Sequence, residues 1–244
     1  MEKITSEWNG FRSEIFEFNG QKATVIFPEN PLKEKKWLFK TEYLDAFPSF
    51  ELEMLKRGYF VANIENETRW GAENDTRRQI EFAKLLQKEY GFNEKCIPVG
   101  MSCGGMQAVY IAAKAPQLIA GLYLDAPVMN LLSCPCGIGK AKDTLGAGYR
   151  EYVEATGGSV SELINYRNHP IDCADALIEN SIPVFLVCGD SDEVVPYEEN
   201  GKILYEKYLD SGKDITLVLK PGCNHHPHGL PDNSQLIDFA GRVY

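Results

Sequence analysis

Apolar positions along this 244-residue chain change period repeatedly, and the changes mark out its elements. Glu14 to Phe18 and Lys22 to Phe27 alternate as strands around Asn19-Gly20, a strong signal for a tight hairpin. Trp37-Leu38-Phe39 reads as a short buried strand, and Tyr59 to Ile64 as another. Between them Phe50 to Arg57 has helical spacing and stops at Gly58. Asp75 is placed to cap a helix that runs to Tyr90 and ends at Gly91. Cys96 to Met101, Gly121 to Leu124, Pro183 to Cys188 and Ile215 to Leu219 are strand-like. Gly104 to Ala115, Tyr197 to Leu209 and Ser234 to Phe239 are helical.

This β-α alternation with continuous apolar runs predicts an α/β fold, with a mainly parallel central sheet covered by helices on both faces. One stretch breaks the rhythm. No strand is predicted between Pro127 and Ile182, and Leu131 to Gly148 is rich in Gly, Cys and Ser. An insertion there would sit above the C-terminal edge of the sheet, where ligands bind in open α/β folds. The expectation is a single domain over 1–244 with a small cap or lid at about 128–182, helical around Tyr149 to Ala155 and Val160 to Asn165.

Composition narrows the classes. A net charge of -10 with no basic arm argues against nucleic acid or an anionic membrane surface as partner. No apolar signal segment opens the chain, and no run approaches the ~20 apolar residues that span a bilayer. Seven cysteines, an odd number, fit free thiols in a reducing compartment. A cytoplasmic location is expected, with a small-molecule substrate and self-association left open.

Candidate chemistry centres on Gly100-Met101-Ser102-Cys103-Gly104, a G-x-S-x-G between strand and helix. As a bare string it arises by chance in roughly one chain of this length in ten, so its context and partners carry the argument. A serine hydroxyl needs a base, and the base needs an orienting acid. The four histidines are His169, His225, His226 and His228, and three of them follow the last predicted strand. His225, third after Gly222, is the expected base. The acid should follow the preceding strand, in Gly189-Asp190-Ser191-Asp192-Glu193. Asp192 is expected, with Asp190 tying the turn through its own backbone and Glu193 pointing the other way. The order Ser102, Asp192, His225 then matches nucleophile, acid, histidine. An oxyanion hole needs two fixed donors. The amides of Cys103 and, in the loop after the Trp37 strand, Glu42 are the candidates.

Other residues receive plainer readings. Tyr43 and Trp70 are candidate substrate-lining residues, with surface or core packing as the equal alternative, and His226 and His228 are read as structural or substrate-lining. No metal is expected, because the His226, His228 and Cys134-Pro135-Cys136 spacing matches no ordinary zinc pattern. His169 is read as a local packing or hydrogen-bonding residue, and Arg77-Arg78 as a solvated helix face. The Cys103 side chain is expected to pack beneath the helix.

These segments resemble the α/β-hydrolase superfamily, and specifically small serine esterases associated with polysaccharide breakdown. The resemblance runs from about residue 37 onward. It rests on Trp37 to Phe47, Gly100 to Gly105, Asp125-Ala126-Pro127-Val128, Gly189 to Asn200 and Gly222 to His228. Cys103 and Lys40 stand where that subgroup commonly has arginine, so no substrate contact by those arginines carries over. The reading implied is an α/β-hydrolase fold and a serine hydrolase cleaving carboxylic esters through an acyl-enzyme, on acylated sugars or polysaccharide fragments, without a cofactor. A prolyl-oligopeptidase-like peptidase shares the triad order and stands second, since such enzymes usually carry a large propeller domain for which this chain has no room. An acyltransferase or thioesterase would differ only in the acceptor. A non-catalytic binding protein on the same fold is the alternative from another class.

Overall fold

The computed structural model describes residues 2–71, 73–142 and 147–244. Its centre is a nine-stranded sheet in the order β1-β2-β3-β5-β4-β6-β7-β8-β9. The strands are β1 (Ile4–Trp8), β2 (Phe11–Phe18), β3 (Gln21–Ile26), β4 (Trp37–Lys40), β5 (Phe60–Ile64), β6 (Ile97–Met101), β7 (Leu122–Asp125), β8 (Val184–Gly189) and β9 (Ile215–Lys220). β1, β2 and β3 form an antiparallel meander that joins β5 antiparallel. From β5 onward every pairing is parallel. The mainly parallel α/β architecture expected from the periodicity is therefore present.

Helices cover both faces, and alternate strand residues decide which face each serves. Trp37, Phe39, Leu124, Leu186 and Cys188 face one core with α2 (Glu73–Tyr90), α3 (Cys103–Lys114), α6 (Ala174–Glu179) and α7 (Gly201–Ser211). Leu38, Val99, Tyr123, Phe185 and Val187 face the other, with α1 (Ser49–Lys56) and α8 (Ser234–Arg242). The connection from β7 to β8 carries α4 (Ala147–Thr156), α5 (Val160–Asn165), a short 3-10 turn and α6. Within the expected Leu131 to Gly148 stretch, residues 143–146 lie outside the described residues. Leu131, Tyr152 and Leu163 of this connection pack with Trp70, Cys103, Met106 and Tyr110 in a third apolar cluster over the N-terminal half of α3. His169 pins it from both ring nitrogens. Nδ1 accepts the Leu131 amide at 3.2 Å, so Nε2 carries the proton that it donates to the Leu163 carbonyl at 3.1 Å.

Three expectations need correction. β1 was not anticipated, because its residues are exposed up to Trp8 and show no buried alternation. The Asn9-Gly10 turn, with both residues at positive φ, was the available signal. Asp75 does not cap α2, which begins at Glu73. It lies in the first turn, where its carboxylate accepts the Glu67 and Thr68 amides at 2.8 and 3.2 Å. Arg78 is buried rather than solvated, paired with Asp75 at 2.7 Å and with Glu67, and donating to the Asn19 carbonyl at 3.1 Å. Arg77 is exposed as expected.

Candidate active site

Because β6 to β9 run parallel as neighbours, the loops at their C-terminal ends meet along one edge. Ser102 sits between β6 and α3 at φ 53 and ψ -119, a conformation that costs a non-glycine residue on the order of 1–3 kcal/mol. Backbone bonds hold it there: its amide donates to the Asp125 carbonyl at 2.9 Å, and its own carbonyl accepts from Val128 at 3.0 Å. The turn closes only over glycine. A Cβ on Gly100 would lie 2.5 Å from the Gly104 oxygen and 2.6 Å from the Gly105 Cα, and a Cβ on Gly105 would lie 2.5 Å from the Pro127 Cβ.

His225 Nδ1 lies 2.8 Å from an Asp192 oxygen, and His225 Nε2 lies 3.1 Å from the Ser102 hydroxyl. An ionised carboxylate only accepts, so Nδ1 carries the proton and Nε2 is left to accept from Ser102. The second Asp192 oxygen accepts the Val194 and Val195 amides at 2.9 and 2.8 Å, which fixes the carboxylate's orientation. Both His225 and Asp192 are buried. The two rejected acids do other work. Asp190 accepts the Gly222 amide at 2.7 Å, tying the β8 turn to the β9 turn rather than to its own backbone. Glu193 is exposed and paired with Lys142.

The two oxyanion candidates lie on neighbouring segments, the start of α3 and the loop after β4. Cys103 opens α3, so its amide belongs to the unpaired first turn and to the positive end of the helix dipole. The loop after β4 crosses close by: a Cβ on Gly104 would lie 3.0 Å from the Glu42 Cβ and 3.5 Å from the Glu42 nitrogen. The Glu42 carboxylate accepts from Asn66 at 2.8 Å and Gln107 at 2.9 Å, and Gln79 reaches the Thr41 carbonyl at 3.0 Å. These bonds hold the loop against α2 and α3. The Cys103 side chain packs under the helix, and burial pushes its thiol up to about 11. It stays protonated at neutral pH and is no competing nucleophile.

The four substrate-lining candidates part company. Tyr43 lines a cleft of about 630 Å³ together with Glu42, Arg69 and Glu151. Burial pushes the pKa of its phenol above the ordinary tyrosine value, so it stays protonated. Trp70 lines a second cavity of about 420 Å³ with Tyr110, Tyr152 and Leu163. His226 and His228 line neither cavity. His226 is exposed and stacks on Phe47 with ring centroids 5.7 Å apart. His228 is buried, its Nδ1 2.8 Å from Asp125, whose other oxygen accepts the Gly229 amide at 2.7 Å and the Tyr123 hydroxyl at 3.2 Å. This second histidine-carboxylate pair was missed, because Asp125 was visible only as part of an Asp-Ala-Pro-Val segment.

Lys40 lies wholly buried at the end of β4, its ammonium 2.5 Å from Glu51 and 3.3 Å from the Ala46 carbonyl. Among the described residues no helix is long and apolar enough to cross a membrane.

Set beside known proteins, residues 50–242 match the sequence model of the prolyl oligopeptidase family. Solved structures share the fold at low identity. A puromycin-hydrolyzing peptidase of Mycobacterium tuberculosis has a TM-score of 0.72 at 16% identity, over 94% of this chain and 38% of that one. A puromycin hydrolase has a TM-score of 0.69 at 19% identity, over 92% and 36%. The acylaminoacyl peptidase of Pyrococcus horikoshii has a TM-score of 0.65 at 13% identity, over 92% and 37%. The chain thus spans little more than a third of the length of these structures.

Proposed function

Because the chain belongs to the prolyl oligopeptidase family of serine hydrolases, we propose that it cleaves the amide bond of short peptides or aminoacyl amides through an acyl-enzyme on Ser102. The observation that carries this is the continuous relay from the Ser102 hydroxyl through His225 to Asp192. His225 Nε2 takes the serine proton as Oγ attacks the carbonyl. The oxyanion that forms is met by the Cys103 and Glu42 amides, positioned before charge develops. Protonated His225 then gives its proton to the leaving nitrogen, and water repeats the sequence on the acyl-enzyme. Asp192 holds the imidazole in the productive tautomer and balances its charge. The cleft along Tyr43 and the aromatic cavity along Trp70 are of the size that small ligands occupy, and the β7–β8 connection acts as a cap over them.

Names of the structural likenesses favour amide substrates over the ester expected from the sequence. Ester hydrolysis is kept as the second reading, on the segments Asp125 to Val128 and Gly222 to His228. One experiment separates the readings. Purified chain is given p-nitrophenyl acetate, a panel of aminoacyl p-nitroanilides and a fluorophosphonate label, beside Ser102→Ala. Turnover of both substrate types and labelling, all lost in Ser102→Ala, is the expected result. Ester turnover without any amide turnover would move the assignment to an esterase. No turnover and no label would leave a binding protein.

A further inference from the structure

His225, His226 and His228 each offer a ring nitrogen, and the three nitrogens lie within 4.8 Å of one another. Their ring centroids are 4.9, 4.9 and 5.0 Å apart. Three imidazoles bound to one tetrahedral ion at about 2.0 Å per nitrogen would hold their centroids about 5 Å apart, a near match to these spacings. We propose that these three imidazoles form a site for one divalent transition-metal ion of the zinc class, and that an ion bound there switches hydrolysis off.

The chemistry of the three rings fits a donor set. Nδ1 of His225 is committed to Asp192 and Nδ1 of His228 to Asp125, both at 2.8 Å. Each carboxylate fixes its ring's tautomer and leaves Nε2 unprotonated, the arrangement found behind metal-bound histidines, with an ion displacing the Ser102 hydroxyl from His225. Two buried, carboxylate-backed rings therefore meet one exposed ring, which opens a way in from solvent. Bringing the nitrogens to tetrahedral contact, about 3.3 Å, asks for a closer approach of the rings, and His226, exposed and stacked on Phe47, is the one whose Nδ1 no carboxylate has been shown to hold.

Inhibition follows from the identity of one ligand. Nε2 of His225 is the atom that accepts the Ser102 proton, and a lone pair bound to a metal cannot accept it. The inhibitory half of the proposal rests on the serine-hydrolase reading, whereas the binding half does not.

The test uses the full chain. Low-micromolar Zn²⁺ should suppress p-nitrophenyl acetate hydrolysis, EDTA should restore it, and Mg²⁺, which prefers oxygen ligands, should do nothing. Co²⁺ supplies a readout independent of catalysis: one equivalent should give the visible bands of a tetrahedral nitrogen site, without a sulfur charge-transfer band. Replacing His226 by alanine should weaken both effects by at least about tenfold, each variant being measured against its own metal-free rate. Cys223→Ser, which alters the thiol 3.9 Å from the His226 carbonyl, should leave both unchanged. Zinc or cobalt responses indifferent to His226→Ala, or abolished by Cys223→Ser, overturn the site. An inactive chain that still binds cobalt through His226 supports the site and overturns the hydrolase reading. An active chain that zinc does not touch overturns the proposal alone.

Discussion

Replacing Gly100 by alanine adds one methyl group where the strand and helix of the nucleophile turn come closest. That carbon would stand 2.5 Å from the Gly104 oxygen and 2.6 Å from the Gly105 Cα, both backbone atoms without a rotamer to yield. Ordinary carbon contacts begin near 3.5 Å, so the turn must open by about 1 Å. Overpacking of this kind costs about 1–3 kcal/mol, which for a chain of this size lowers Tm by roughly 2–12 °C. The larger effect is on rate, since a displacement of about 1 Å at the attacking atom costs on the order of 100-fold in kcat. Gly241→Ala is the control. It adds the same methyl in the last turn of α8, where nothing lies within 4 Å, and there alanine should be neutral or stabilising by up to about 1 kcal/mol. Differential scanning calorimetry and p-nitrophenyl acetate kinetics on both variants check the argument. A Gly100→Ala protein that melts with the parent and keeps kcat within about threefold would refute it.

Three further outcomes follow from the same geometry. Asp192→Asn should lower kcat by about 10⁴-fold while the melting temperature barely moves, because the amide favours the wrong imidazole tautomer. Cys103 keeps its proton to about pH 11 in the fold but loses it near 9 when unfolded. Its contribution, about 3 kcal/mol, is therefore complete below pH 9 and lost as pH rises through 11, and Cys103→Ala should make the fall of urea midpoints over that window shallower, the other buried thiols still contributing. Lys40→Met strands Glu51, whose second oxygen already lacks a partner, and should cost about 3–5 kcal/mol. Thermal melts of the Lys40→Met/Glu51→Leu pair should recover most of that loss, and a pair as unstable as the single variant would contradict the account.

What could be read before folding was local. Asn19-Gly20, the unbroken apolar run at Val184 to Cys188 and the glycines around Ser102 each act within a few residues, so period and turn chemistry were enough. The β1 hairpin was equally local, and its Asn9-Gly10 signal was passed over because the flanking strand is exposed on all but one residue. Arg78 shows the opposite case. Its neighbours in sequence look solvated, and only the arrival of the β2–β3 turn and of Glu67 buries it.

The chain alone determined the alternation of strands and helices, the strained serine turn and the order in which Ser102, Asp192 and His225 occur. Each depends on residue type at short range. Tertiary structure decided which carboxylate meets which histidine. Asp125 and His228 are 103 residues apart, and Lys40 reaches Glu51 only because α1 folds back against β4. It also gathered three imidazoles into one cluster, with a carboxylate behind two of them. Such meetings depend on sheet order and register, which arise from packing summed over the whole core and leave no mark on any one segment.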